Sequence, residues 1–317
     1  MSIPPATLSE KILARASGRD SVRPGEIVMV SVDLAMMHDS GGPRRVKPML
    51  EQLGAQVWNP DKIVVVSDHF VPAVDADSAA ILDLTRKWVK ETQIRRFYDM
   101  KGICHVVLPE NGLIQPGMMA VGGDSHSCTG GAWGAFMVGM GATDMLGVLV
   151  TGETWLRVPT TVRFRCDGRL PRGVSAKDIM LHLCATVDPV LMSYRTAEYC
   201  GEAVSAMSMP ERMTLCNMSA ELGAKTGLIA PDATTRAWLE RFGVGVGPLE
   251  LQADPDAEIE REVVIDTPAL APQVAAPHSP ANTHPVGACR GQRITQAYIG
   301  ACTGAKLEGT CTWPPRS

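Results

Sequence analysis

The chain has 317 residues, 45% hydrophobic and 20% charged, which is enough to bury about two domain-sized cores and too apolar for bulk disorder. A formal net charge of −4 without a long basic run argues against a nucleic-acid role. Met1 to Glu10 lacks the basic and apolar regions of a secretory signal, Gly134 to Val150 is interrupted by Asp144 and glycines and so is no membrane span, and nine cysteines without a disulfide framework or a Cys-x-x-Cys point to reduced thiols in a cytoplasmic setting.

In chain order, Thr7-Leu8-Ser9-Glu10 has the pattern of a capping box and opens a helix that carries Leu8, Ile12 and Leu13 inward. Ile27 to Val32 reads as a strand delivering the polar segment Asp33 to Pro43, and Val46 to Leu53 as a helix. A strand then ends at Asp68-His69, and Ser78 to Phe97 reads as one amphipathic helix with Ile81, Leu82, Leu84, Trp88 and Val89 inward. Gly102 to Val107 and Met118 to Val121 read as strands leading to His105 and Asp124, and Gly134 to Val150 as a buried helix. The alternation predicts an α/β fold with a parallel sheet covered on both faces. A second unit is expected near Thr160, with a strand over Thr161 to Cys166 and helices over Ser175 to Val187 and Met207 to Leu222. Residues 267–286 are proline-rich and read as an extended connection, after which Tyr298 to Cys302 opens a third unit. The expected division is therefore 1–159, 160–290 and 291–317.

Gly122-Gly123-Asp124-Ser125-His126 places an acid, a hydroxyl and an imidazole on consecutive residues beside two glycines that free the backbone to expose them. Asp68-His69 and His105 add two more acid–base groups near strand ends, and a carboxylate beside an imidazole suits general acid–base chemistry. Taken singly, Asp68-His69 and His38-Asp39 read more readily as surface turns, His105 as a core histidine and Glu198 as a solvated helix residue. Cys302, in Ile299-Gly300-Ala301-Cys302-Thr303-Gly304, is expected after a strand, where a thiolate would bind a soft metal or act as a nucleophile.

Taken in order, Val32-Asp33-Leu34, Ser67-Asp68-His69, Gly102-Ile103-Cys104-His105, Leu108-Pro109-Glu110, Pro116-Gly117-Met118, Gly123-Asp124-Ser125-His126, Met213 to Met218 and Ala230-Pro231-Asp232 resemble the large subunits of 3-isopropylmalate dehydratases and their relatives in the aconitase superfamily. The resemblance implies aconitase-type three-layer α/β/α domains, the first two present and the third cut off. It implies a hydro-lyase that interconverts 2- and 3-hydroxy di- or tricarboxylic acids, such as isopropylmalate in leucine biosynthesis, through the open iron of a [4Fe-4S] cluster. On it, Asp68-His69 assists loss of the hydroxyl, His105 pairs with Asp124, and His126 and Glu198 contact iron-bound water. Ser125 and His38 bind substrate, and Cys302 is the first cluster ligand. The proton-abstracting serine belongs to a swivelling small subunit, which is thus an implied partner. Methylated malates and homocitrate-type acids are alternative substrates. A truncated remnant or small-subunit-binding scaffold, and a hydrolase built on Asp68, His69, Asp124 and His126 around one metal ion, are alternative functions.

The end departs from that pattern. Gly304 stands where the family has asparagine, and only Cys311 follows Cys302, where relatives supply a closely spaced cysteine pair. Shifting the codons of Gly309 to Arg316 by one frame yields a helix-forming run, Asp-Leu-His followed by one apolar residue and three alanines. The expectation is a frameshift near codon 309; resequencing that finds no downstream frame with paired cysteines sinks it.

Overall fold

The computed structural model describes residues 4–245, 250–304 and 306. The chain enters through the helix Leu8–Ala16, where the Glu10 amide donates to the Thr7 hydroxyl and the Thr7 amide donates back to the Glu10 carboxylate, the capping box read from the sequence. There follow β1 (Ile27–Ser31), β2 (Leu34–His38), β3 (Ile63–Ser67), β4 (Arg96–Asp99), β5 (Met119–Gly122) and β6 (Phe136–Gly139). The last five make one all-parallel sheet in the order β4-β3-β2-β5-β6. Strands β2, β3 and β5 are buried at every residue, because both faces of the sheet are covered. Strand order reverses between β2 and β5, and the crevice beyond the carboxyl ends at such a point is where open parallel sheets hold ligands. Those ends carry His38-Asp39, Asp68-His69 and Gly123-Asp124.

Strand β7 (Glu153–Arg157) returns to pair antiparallel with β1. The second parallel sheet, in the order β10-β9-β8-β11, is built from β8 (Thr161–Asp167), β9 (Thr196–Cys200), β10 (Thr226–Leu228) and β11 (Arg261–Asp266). Its core is continuous with that of the first: Met36, Val64 and Trp133 share one buried cluster with Phe164, Tyr199 and Cys216. At the seam the Ile229 amide donates to the Gly131 carbonyl at 3.0 Å. A Cβ on Gly131 would lie 1.7 Å from the Gly227 carbonyl oxygen, so a backbone must move to admit one. Gly131→Ala is therefore expected to destabilise the protein by about 3 kcal/mol, the upper range for overpacking, read as a lower urea midpoint at unchanged slope. A wild-type midpoint would mean that the seam yields freely.

Several elements differ from the sequence expectation. Ile27 to Val32 does not feed the first sheet; the central strand is β2, hidden in what reads as a polar segment. The long helix stops at Glu91 and Arg96–Asp99 becomes edge strand β4; of its expected inward residues, Leu82, Trp88 and Val89 are buried while Ile81 and Leu84 are only half-buried. His105 sits in the first turn of the helix Cys104–Glu110 rather than on a strand. Gly134 to Val150 is a strand, β6, followed by the helix Ala142–Thr151, because Gly139 and Gly141 interrupt the apolar run. The proline-rich stretch folds into a hairpin of β12 (Gln273–Ala275) and β13 (Thr283–Pro285), and the Gln273 amide donates to Asp178 on the helix Ala176–Thr186. Tyr298 to Cys302 forms no strand; Ala301–Gly304 is a single helical turn. The expectations for Cys311 and the frame-shifted tail lie outside the described residues.

Candidate active site

Asp124 is the hub of the polar cluster at the carboxyl ends of the first sheet. Its Oδ1 accepts from His105 Nε2 at 2.8 Å and from the His126 amide at 2.8 Å, the second bond capping the 3-10 segment Ser125–Trp133. Its Oδ2 lies 3.4 Å from His69 Nε2. The other ring nitrogen of His69, Nδ1, lies 2.7 Å from Asp68 Oδ1, and Asp68 Oδ2 accepts from the Cys104 amide at 2.6 Å. Glycine at 122 permits this packing, because a Cβ there would meet Ser127 Oγ at 1.9 Å. The carboxylates of Asp68 and Asp124 thus bracket one imidazole.

The electrostatics follow from that arrangement. The hydrogen bond to Asp124 and then that to Asp68 push His69 up to about 10, so it rests as an imidazolium at neutral pH. Burial works to raise Asp124, but hydrogen bonds from His105, His126 and His69 outweigh it and hold this carboxyl far below its usual range. Because the folded His69 pKa lies above its unfolded value of 6.5, its contribution to stability is complete below pH 6.5 and is lost as pH rises through about 10. The depressed Asp124 contributes in the opposite sense, fully above its unfolded value of 3.8 and less as pH falls below that. The pair is expected to stabilise most between about pH 4 and 6.5, and urea midpoints measured across pH 3–10 should show this maximum in the wild type and lose it in His69→Gln.

The second sheet contributes the other wall. His126 Nε2 lies 2.9 Å from Glu221 Oε1, just beyond the helix Met209–Asn217, and Asn217 Nδ2 donates to Thr129 Oγ1 at 2.9 Å. Asn217 Nδ2 also stands 3.5 Å from Cys302 Sγ, and its Oδ1 accepts from the Thr303 hydroxyl at 2.8 Å. Asp124, Cys302 and Glu221 together push His126 up to about 12. Ser125 is exposed at the mouth of the cluster, with Oγ 3.5 Å from His126 Nδ1.

Two expected site residues bond to the protein itself. Glu198 is buried on β9 and accepts from Arg163 Nε at 3.0 Å, while its Oε2 is buried without a hydrogen-bond partner. The carboxylate that meets His126 Nε2 is that of Glu221. His38 is 5% exposed and both ring nitrogens face backbone: Nδ1 accepts from the Gly41 amide at 3.3 Å and Nε2 donates to the Gly123 carbonyl at 2.9 Å. Neither nitrogen is left over for a substrate. Sequence reasoning missed Glu221, Asn217 and Thr129; the four-residue spacing of Asn217 and Glu221, which sets two polar groups near one another about a helical turn apart, was the available signal.

His105, His126 and Cys302 offer ligand atoms that all lie within 4.8 Å of one another. Burial works to raise the Cys302 thiol, yet hydrogen bonds with His126 and Asn217 leave it below its ordinary value, as a metal-binding thiolate requires. Burial drives the nearby thiols the other way, Cys104 well above its ordinary value and Cys128 up to about 12. A [4Fe-4S] cubane needs about three or four thiolates. Cys302 is the one cysteine in this group of described ligand atoms, so the donor set does not fit a cubane by itself.

Comparison with known proteins places the chain in a family. The family model described as Aconitase family (aconitate hydratase) matches residues 10–296. The 3-isopropylmalate dehydratase large subunit 1 of Methanopyrus kandleri is 47% identical over 305 residues, which cover 95% of this chain and 72% of that protein. A probable methanogen homoaconitase large subunit of Methanosarcina mazei is 43% identical over 283 residues, covering 89% of this chain and 72% of its own. The chloroplastic 3-isopropylmalate dehydratase large subunit of Arabidopsis thaliana is 41% identical, covering 95% of this chain and 62% of its own. With the ordered acid–base motifs, the parallel sheets that present them and these matches together, the chain belongs to the aconitase family of hydro-lyases.

Proposed function

We propose that this chain is the large subunit of a two-subunit hydro-lyase that moves water across a 2-/3-hydroxy di- or tricarboxylic acid of the isopropylmalate type. The bracketing of one imidazolium, His69, between Asp68 and Asp124 carries the proposal, because it holds a proton donor at a fixed place on a crevice wall. In the dehydration direction the carbon–oxygen bond breaks, the departing hydroxyl takes a proton from His69 and leaves as water, and a base takes the proton from the adjacent carbon as the double bond forms. That base is assigned to the small subunit. Asp124 and Asp68 stabilise the imidazolium before the transfer and reprotonation restores it after. His105 keeps Asp124 oriented, Glu221 fixes the His126 ring, and exposed Ser125 is placed to donate to a substrate carboxylate. Cys302 would supply one thiolate to a [4Fe-4S] cluster, which would act as a Lewis acid on the substrate hydroxyl. The eight described cysteines are all free thiols, which supports a reducing, cytoplasmic setting. No described helix is long and apolar enough to cross a membrane.

The test combines the chain, reconstituted anaerobically with iron and sulfide, with a small subunit and follows loss of alkene absorbance from an unsaturated isopropylmalate precursor. Hydration that disappears in His69→Gln supports the proposal. A reconstituted complex that is inert toward isopropyl-, methyl- and homocitrate-type acids alike would favour a scaffold role and overturn it.

A further inference from the structure

The two residues that end β2, His38 and Asp39, touch neither the crevice mouth nor Cys302 in any described hydrogen bond, yet they hold both partners of the His69–Asp124 pair. Asp39 is fully buried, and its carboxylate accepts three successive backbone N–H groups. Oδ1 takes those of Asp68 at 3.3 Å and His69 at 3.0 Å, and Oδ2 takes that of Phe70 at 2.9 Å. The Asp39 amide donates in turn to the Val66 carbonyl at 3.2 Å, which ties the end of β2 to β3. The His38 ring stacks on the His69 ring with centroids 4.0 Å apart and planes 18° from parallel, while its Nε2 holds the Gly123 carbonyl next to Asp124.

We propose that the His38-Asp39 end of β2 is a positioning device, in which Asp39 fixes the backbone of residues 68–70 and His38 aligns the His69 ring toward Asp124. The proposal rests on the acid–base role assigned to His69 and adds to it the residue that places this acid. The hydrogen bonds also settle the charge state that stacking needs. Because His38 Nδ1 accepts from Gly41, its one proton is on Nε2 and the ring is neutral, so it lies against the His69 imidazolium without charge repulsion. Burial, and then the neighbouring His69 charge, lower the His38 pKa in the same sense. His38, Asp39, Asp68 and His69 also present ligand atoms within 4.8 Å of one another, but both Asp39 oxygens are occupied by amides and His69 Nδ1 by Asp68. The group is thereby a scaffold rather than a cation site.

Two variants test it on the whole chain by hydrogen–deuterium exchange, and on the reconstituted two-subunit enzyme by kinetics. Asp39→Ala removes all three acceptors, so exchange at residues 68–70 should accelerate at least about tenfold while the second sheet keeps its protection. Asp39→Asn retains one oxygen for Asp68 and His69 and turns an NH2 toward the Phe70 amide, so acceleration should be confined to residue 70. In turnover, Asp39→Ala should lower kcat about a hundredfold with KM nearly unchanged, as misplacement of an acid does, and Asp39→Asn should recover part of that loss. Exchange at 68–70 that matches wild type in both variants overturns the proposal, as does loss of protection spread evenly over the chain in Asp39→Ala with no local change in Asp39→Asn. The exchange measurement needs no substrate. Local loosening in a protein without hydratase activity would therefore sink the functional assignment and leave the tether standing.

Discussion

Asp124→Asn is expected to lower hydratase turnover by about 10²–10⁴-fold, the range for losing a positioned acid–base group. The carboxylate serves three histidines at once: it accepts from His105 Nε2 and the His126 amide, and faces His69 Nε2 at 3.4 Å. A carboxamide keeps one acceptor oxygen and turns an NH2 toward another N–H, so one of these partners loses its bond. The negative charge that raises the His69 and His126 imidazoles disappears as well. His69, now at about 10, should fall toward its ordinary 6.5. NMR titration of the histidine ring protons separates this from a folding defect, because a misfolded variant would lose the dispersed resonances altogether. If His69 in Asp124→Asn still titrates near 10 with turnover intact, Asp124 is not the hub.

The second large effect concerns stability. Arg212 is fully buried in the helix Met209–Asn217, and its two terminal nitrogens reach Asp232 Oδ1 and Oδ2 at 2.7 Å each. Its Nε has no hydrogen-bond partner, so the guanidinium depends on this carboxylate and on the Ser205 carbonyl. Asp232 has a second duty, because its Oδ1 caps the helix Ala233–Arg241 by accepting from the Thr234 and Thr235 amides. Asp232→Ala leaves a buried cation unpaired and uncaps a helix, and should cost about 3–5 kcal/mol in urea unfolding. Arg212→Ala should cost less, because the Asp232 side chain is 38% exposed and water can take over its charge. The order of the two losses is the informative result. If Arg212→Ala proves the more damaging, packing of the long arginine side chain outweighs the ion pair.

Much of the site was legible from local chemistry. Two glycines before Asp124-Ser125-His126 announce a turn that exposes polar side chains, and Asp68-His69 directly after an apolar run announces a strand ending in an acid–base pair. Cys302, expected at a strand end, does stand beside His126, although on a helical turn. The setting of Glu198 was not legible, because Glu-Tyr-Cys-Gly carries no information about which sheet face its carboxylate takes. Its cross-strand neighbour Arg163, which captures it, is 35 residues away. Glu221 was passed over because a glutamate near a helix end is ordinarily solvated, and only packing of the second sheet against residues 125–133 brings it to His126.

The fold divides in the same way. Capping boxes, the apolar run Ile63 to Val66 and the helix Ala176–Thr186 depend on residues within one turn or one strand, and the local order of residues determined them. Whether Ile27–Ser31 or Leu34–His38 would occupy the centre of the sheet is not a local question. Both are apolar, and the choice lies with which run can be covered on both faces, so β2 is buried throughout while β1 alternates on an outer ribbon. His38-Asp39 gained its place the same way, as a surface turn by sequence and a fully paired anchor once β2 is central. The amino-acid sequence by itself determined which acids and imidazoles are present and which family they mark. Tertiary structure decided which of them meet, because the short contacts to Asp124 depend on separate strand ends converging where the order of a parallel sheet reverses.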